Sequence, residues 1–265
     1  MNKDITVQQA IDVILNTVPG EIELNTVDTV KSGNPEVKLT GIVTTFLATY
    51  EVIKHTVDLG SNLIITHEPT FYNHLDDTTW LSRDSVYQAK RSLLESNNIV
   101  VWRFHDHMHK LHPGGILSGI LKDLEWEEYS RADSPGICKI PPVKLIDLGI
   151  YIKNKLCINS LKILGNPDLR CENIGIAPGA SGGKIQINRM VSSDLDVLLC
   201  GEINEWETSE YVRDAISLGQ NKALIIMGHA QSEEAGMKHL VDWLSTKFPG
   251  ININFIATQD PFHVI

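Results

Sequence analysis

The sequence predicts an α/β protein of two related lobes with mixed, largely parallel sheets and a metal site between the lobes. The first sign is alternation. Short apolar runs of strand length are separated, along most of the chain, by stretches with helical periodicity. The second is an internal repeat. Residues 51–62 align without gaps on residues 210–221, with Glu, Leu, Gly and Asn coinciding. Each copy reads as helix, glycine stop, apolar strand and histidine: Leu63-Ile-Ile-Thr-His67 and Leu224-Ile-Ile-Met-Gly-His229. Any two βα units need an amphipathic helix and a stop, so the match fits unrelated units too. The reading it favours is two related halves, each setting a histidine at the carboxyl end of a strand, where open α/β sheets bind ligands.

The elements follow in order. Thr6-x-x-Gln9 is a capping box that opens a helix over 7–17. Residues 37–46, rich in Val, Ile and Thr, read as a strand. An amphipathic helix over 49–59 stops at Gly60. A short buried strand follows at 63–66, then a helix over 84–96, a strand over 99–104 and a short helix over 116–124. The polar, Pro-containing stretch 125–142 reads as a boundary. The lobes would then be 1–125 and 126–265, with the C-terminal strand free to return to the first lobe. Beyond the boundary the pattern predicts a strand at 145–152, a helix at 154–164 and a strand at 173–177. A Gly-rich loop and a helix around 186–192 come next. A strand at 197–200, a helix at 207–218, a strand at 223–227, a helix at 232–248 and a strand at 251–257 complete the chain.

Composition narrows the function classes. The chain has 265 residues, with 23 Lys plus Arg against 33 Asp plus Glu, a formal charge of −10. That balance argues against nucleic acid as a partner, because such binding draws on Lys and Arg contacts to phosphate. No apolar run approaches the ~20 residues of a membrane span. The N-terminus lacks a signal-peptide core, so a cytoplasmic protein is expected. Cys138, Cys157, Cys171 and Cys200 form no C-x-x-C pair and are expected to be reduced thiols. No G-x-S-x-G elbow, H-E-x-x-H helix or Walker A loop is present.

The ten histidines are unevenly spread, with four in Phe-His105-Asp-His-Met-His109-Lys-Leu-His112-Pro. Were the strand to continue, period two would put His105 and His107 on one face; were the chain to turn, His105 and His109 would converge. Histidine with carboxylate suits zinc, iron, manganese, nickel or cobalt. His67-Glu68 and His229-x-x-x-Glu233 follow apolar strands and join His105, Asp106 and His109 as candidate ligands. Ser232 reads as an N-cap, which would place Glu233 in a first helical turn. There an acid is favoured by the helix dipole whether or not it ligates. The loop Pro178-Gly179-Ala-Ser181-Gly182-Gly183-Lys184 reads either as a plain βα turn or as a cradle for an anionic substrate.

These motifs, in this order, resemble the Ngg-interacting-factor-three-like family. They are Leu-Ile-Ile-Thr-His67-Glu68-Pro, the His105 cluster running to Pro113-Gly-Gly, Gly179-Ala-Ser-Gly-Gly183, Gly201-Glu-Ile203 and Gly228-His229-x-x-Ser-Glu233. The likeness spans nearly the whole chain, in the short form without a mid-chain inserted domain. Family members are described as hexameric proteins with a dinuclear metal centre, some as type 2 homologues of GTP cyclohydrolase one. The resemblance implies two divalent transition-metal ions, a homo-hexamer and ligands at His67, Glu68, His109, His229 and Glu233. The family's His-His-Pro stands here as His67-Glu68-Pro69, and its His-x-x-x-Asp as His105 to His109. One histidine has become Glu and one aspartate His, which preserves the ligand count and charge. One extra residue before Pro113 leaves Asp106 as the other candidate for that carboxylate. Histidines that often follow the Gly201 glycine are missing. The implied activity is metal-dependent hydrolysis of a small phosphorylated or nucleotide-like substrate. The alternative is a non-enzymatic metal-binding or regulatory scaffold protein.

Overall fold

The computed structural model describes residues 4–21, 23, 25–111 and 115–263. The His112-Pro113-Gly114 part of the histidine motif lies outside the described residues. The chain divides into two compact units: Met1–Gly115 with Gly236–Gln259, and Ile116–Ala235 with Asp260–Ile265. Each is built on a five-stranded mixed sheet.

In the first unit the capping box forms as expected. Thr6 Oγ1 accepts from Gln9 N at 3.2 Å and Thr6 N donates to Gln9 Oε1 at 2.9 Å, starting α1 (Val7–Leu15). After β1 (Val30–Ser32), the strands β2 (Gly41–Thr45), β3 (Leu63–Thr66) and β4 (Val100–Arg103) alternate with α2 (Tyr50–Asp58) and α3 (Ser85–Ser96). β10 (Asn252–Phe255) returns from the far end of the chain to pair with β2, giving the order β1-β4-β3-β2-β10. All these pairings are parallel except β1 with β4. Helices cover parallel strands on both faces, which is why β2, β3 and β4 are buried at every position. Ile53, Ile64, Leu94 and Val101 anchor the core on one face. In register, Thr45, Thr66 and Arg103 lie side by side at the carboxyl ends.

The second unit begins with α4 (Ile116–Asp123), then β5 (Ile137–Lys144), α5 (Leu145–Lys155), β6 (Lys162–Leu164) and β7 (Arg170–Ala177). α6 (Gly183–Ser192), β8 (Val197–Cys200), a π-helical turn at Glu205–Ser209, α7 (Glu210–Ser217) and β9 (Ala223–Ile226) follow. The strand order is β5-β7-β8-β9-β6, with β7, β8 and β9 parallel and both edges antiparallel. Leu195, Leu198, Val212 and Leu224 pack one face. α8 (His229–Lys247) starts in this unit and continues into residues of the first.

The repeat is structural. At the end of α2, Leu59 N, Gly60 N and Ser61 N donate to the carbonyls of His55, Val57 and Thr56; at the end of α7, Leu218 N, Gly219 N and Gln220 N donate to those of Asp214, Ile216 and Ala215. The pattern is the same, and Gly60 (φ +66°) and Gly219 (φ +80°) both take the left-handed conformation that ends it.

Two expected elements exchange type. Residues 145–152, expected as a strand, form the body of α5. Its buried residues Leu145, Leu148, Gly149 and Ile152 fall at helical spacing, while Ile146 and Ile150 are exposed, so the apolar run hid a 3.6-residue period. The helix expected at 154–164 is replaced by a loop and β6. β1 and β5 were not expected. β1 has only three residues, and β5 carries Pro141 and Pro142 on an edge, where a missing N–H is tolerated and the register slips between Lys139 and Val143. Among the described residues no helix is long and apolar enough to cross a membrane.

Candidate metal centre

In the first unit, the chain leaves β3 at His67 and β4 at Phe104, next to one another. His67 is fully buried, and its Nδ1 lies 3.2 Å from the Phe104 carbonyl oxygen. A carbonyl can only accept, so Nδ1 is the donor in this contact. After β4 the chain turns rather than extending, and His109 N donates to the His105 carbonyl at 3.2 Å. That turn selects the His105–His109 pairing over His105–His107. The rings of His67 and His105 stack with centroids 4.6 Å apart, and His109 meets each of them edge-on at 5.0 Å. One ligand nitrogen from each of His67, His105 and His109 falls within 4.8 Å of the other two.

His105 is held at both nitrogens. Nδ1 lies 2.8 Å from Asp106 Oδ1, and Nε2 lies 3.4 Å from Glu68 Oε1. Burial alone would lower its pKa, but the two carboxylates outweigh that and raise it. With Nδ1–H donating to Asp106, the remaining nitrogen faces a carboxylate oxygen. That arrangement is satisfied by a proton or by a cation between the two. A carboxylate behind an imidazole is also how proteins fix the tautomer of a metal-ligating histidine. Asp106 itself accepts from Thr26 Oγ1 at 2.6 Å and from Val27 N at 3.2 Å. Burial pushes its carboxyl up, yet these bonds and His105 hold it well below the usual carboxylate range. Asp106 therefore stands behind His105, and His109 is the residue grouped with the other imidazoles.

Several residues that organise this loop were not candidates from the sequence. Asp28, buried, accepts from the backbone N–H groups of His105 (2.7 Å), Asp106 (2.9 Å) and His107 (2.9 Å), and pairs with His107 Nδ1 at 2.7 Å. His107 Nε2 accepts from Glu23 N, so both nitrogens of that ring are used structurally. Arg103 is also fully buried and pairs with Glu68 Oε2 at 3.1 Å. A lone Asp or Arg carries no spacing that would mark it.

In the second unit, β7, β8 and β9 end in register at Ala177, Cys200 and Ile226. His229 opens α8, so Glu233 sits one turn into the helix on the same face, with His229 Nε2 3.2 Å from Glu233 Oε2. This corrects the N-cap reading of Ser232. Its N–H donates to the Gly228 carbonyl within the helix, while its Oγ donates to the His229 carbonyl at 2.7 Å and accepts from Gly179 N at 2.9 Å. Glu202 Oε2 lies 3.3 Å from His229 Nδ1; the residue belongs to the Gly201-Glu-Ile203 motif but was not among the candidate ligands. Gly179 (φ +63°) lies against Glu233, and a Cβ there would overlap Glu233 Oε1. In the rest of the loop, Gly183 N donates to Glu207 Oε2 at 3.1 Å, Gly182 takes φ +82°, Ser181 Oγ is buried with no hydrogen-bond partner among the described residues, and Lys184 is exposed.

The donor sets in both units, imidazole nitrogens with carboxylate oxygens, fit a borderline divalent metal. Comparison with known proteins bears on the same residues. A family model described as Duf34/NIF3 (NGG1p interacting factor 3) matches residues 7–261. A Buchnera aphidicola protein named GTP cyclohydrolase 1 type 2 homolog is 26% identical over 264 residues, covering 98% of this chain and 96% of that one. A crystal structure of a Staphylococcus aureus hypothetical protein has a TM-score of 0.77 at 20% identity, covering 98% of this chain and 99% of that one. A Bacillus cereus protein related to NIF3 has a TM-score of 0.77 at 14% identity, with both chains fully covered.

Proposed function

Since the chain belongs to the Duf34/NIF3 family, we propose that it is a metal-dependent hydrolase binding two divalent transition-metal ions and acting on a small phosphorylated or nucleotide-like substrate. The observation that carries this reading is His105, with one nitrogen on Asp106 and the other turned toward the Glu68 carboxylate beside His67 and His109. His67, Glu68, His105 and His109 are the proposed ligands in the first unit, and His229 with Glu233 in the second. When bound, the ions supply Lewis acidity toward water and toward substrate oxygens. The chain's own groups do the rest. The Phe104 carbonyl and Asp106 engage Nδ1 of His67 and His105 and so orient each ring with Nε2 as the ligand atom, and Glu202 faces Nδ1 of His229 in the same way. Lys184, on the exposed edge of the glycine loop, is placed to meet an anionic group. The name of the Buchnera relative directs the substrate search to nucleotides.

The test is metal content followed by turnover. Elemental analysis and titration of untagged protein should give about two ions per chain, and His67→Ala and His229→Ala should each lose at least one. Metal-free protein should be inactive, and activity on a nucleotide or phosphorylated substrate should return with metal. Protein that takes up no metal rejects the reading. Full metal occupancy with no turnover across such substrates selects the non-enzymatic metal-binding alternative.

A further inference from the structure

Arg103 ends β4 inside the first unit, and its guanidinium reaches three acceptors. Nε donates to the His67 carbonyl at 3.1 Å, Nη1 to the His74 carbonyl at 2.6 Å and Nη2 to Glu68 Oε2 at 3.1 Å. The side chain is completely buried. A buried guanidinium is tolerated only when its charge and its N–H groups are matched, because burial strips it of its hydration. Here one carboxylate supplies the charge and two carbonyls take up other donors. The same carboxylate offers its other oxygen, Oε1, at 3.4 Å from His105 Nε2.

We infer that Arg103 is a positioning residue for Glu68. By holding Oε2 it turns the carboxylate so that Oε1 faces His105, as a one-oxygen ligand of compensated charge. The inference rests on the metal reading above and goes beyond it. The charge-assisted hydrogen bond takes up one lone pair of Oε2 and fixes the carboxylate plane, which disfavours bidentate binding. It also changes the charge balance. The negative charge of Glu68 is matched directly by the Arg103 guanidinium. An Arg is suited to this task and a Lys is not. The planar fork addresses a carbonyl, a second carbonyl and a carboxylate at once, whereas an ammonium on a flexible stem cannot reproduce those three directions.

The experiment is a cobalt(II) titration followed by visible absorption, on wild type, Arg103→Lys, Glu68→Gln and the double variant. Thermal melting of each metal-free protein is recorded alongside. Arg103→Lys should weaken cobalt binding about 10–100-fold, the usual effect of losing a partner that orients a ligand. It should also shift the absorption band, since coordination changes. In the Glu68→Gln background the same Arg103→Lys change should have little further effect on cobalt affinity, because the two residues act through one contact. A merely structural Arg103 would lower the melting temperature of metal-free protein and leave affinity and band unchanged; that result overturns the inference. An equal loss in the Glu68→Gln background overturns it too. Were Arg103→Lys not to fold, Glu68→Asp takes its place. Shortened by one methylene, its carboxylate cannot hold Arg103 and face the imidazoles together. It should show the same loss and band shift, and wild-type binding there overturns the inference. Wild-type protein that binds no cobalt removes the metal reading itself, a failure distinct from all of these.

Discussion

Lys90 on α3 is 6% exposed, far more buried than lysines ordinarily are. Its Nζ donates to the Thr70 carbonyl at 2.5 Å and sits over the rings of Phe71 (5.6 Å) and Tyr72 (5.2 Å). Burial pushes its pKa down to about 8, with Asp76 opposing the shift. The folded chain therefore holds this proton less tightly than the unfolded chain. Below about pH 8 the lysine is charged in both states, and the folded state bears the full cost of burying the charge. As pH rises toward the ordinary lysine value the unfolded chain keeps the proton longer, and stability attributable to this group increases. Between pH 7 and pH 10 the stability difference between wild type and Lys90→Met should move in favour of wild type by about 2–3 kcal/mol. Urea denaturation of both proteins at the two pH values checks it, and a constant difference rejects it. Asp28 illustrates why such residues escape a sequence reading. Its importance comes from three backbone N–H groups about 80 positions away, and nothing local to Asp28 announces them.

Two glycines separate backbone conformation from crowding. Gly60, after α2, and Gly179, after β7, have nearly the same positive φ, +66° and +63°. A Cβ at Gly60 meets nothing within 4 Å, while one at Gly179 would collide with the Glu233 carboxylate. Gly60→Ala should cost about 1 kcal/mol, the usual penalty of an L-residue in that region. Gly179→Ala should cost more and should also weaken metal binding by displacing Glu233. Thermal melts and metal titrations of both variants test this, and equal melts with unchanged binding for Gly179→Ala would count against it. The elements themselves were legible wherever one face was buried and one was not. The capping box at Thr6, the glycine stops after α2 and α7 and the four-residue strands β3, β8 and β9 stand within a residue of their expected places. Residues 145–152 failed because Ile146 and Ile150 put apolar side chains on the outer face too, which erased the contrast between periods. The proposed histidine ligands follow apolar strands and could be read directly. Glu202 and Arg103, which contact ligands, could not, because their roles depend on which strands lie side by side.

The whole molecule presents apolar surface on more than one helix. Ile146 and Ile150 are exposed one turn apart on α5, Ile185 and Val191 are exposed on α6, and Trp206 is 75% exposed on the π-helical turn. Groups of this kind are what subunit contacts cover. The homo-hexamer implied by the family pattern is our proposal for the assembly. Light scattering at micromolar concentration should give about six times the 29.5 kDa chain mass, and a mass near the single-chain value rejects it.

The pairing of β10 with β2 also sets a timetable. Asn252 lies opposite Gly41, so about 200 residues separate neighbours within one sheet. At ~5–20 residues per second on the ribosome, on the order of 10–40 seconds pass between making one partner and making the other. For that interval β2 is the last strand of its sheet, with one edge open to a second nascent chain. All five strands of the sheet that is translated later emerge during the same interval, so the half of the protein made second can finish its sheet first.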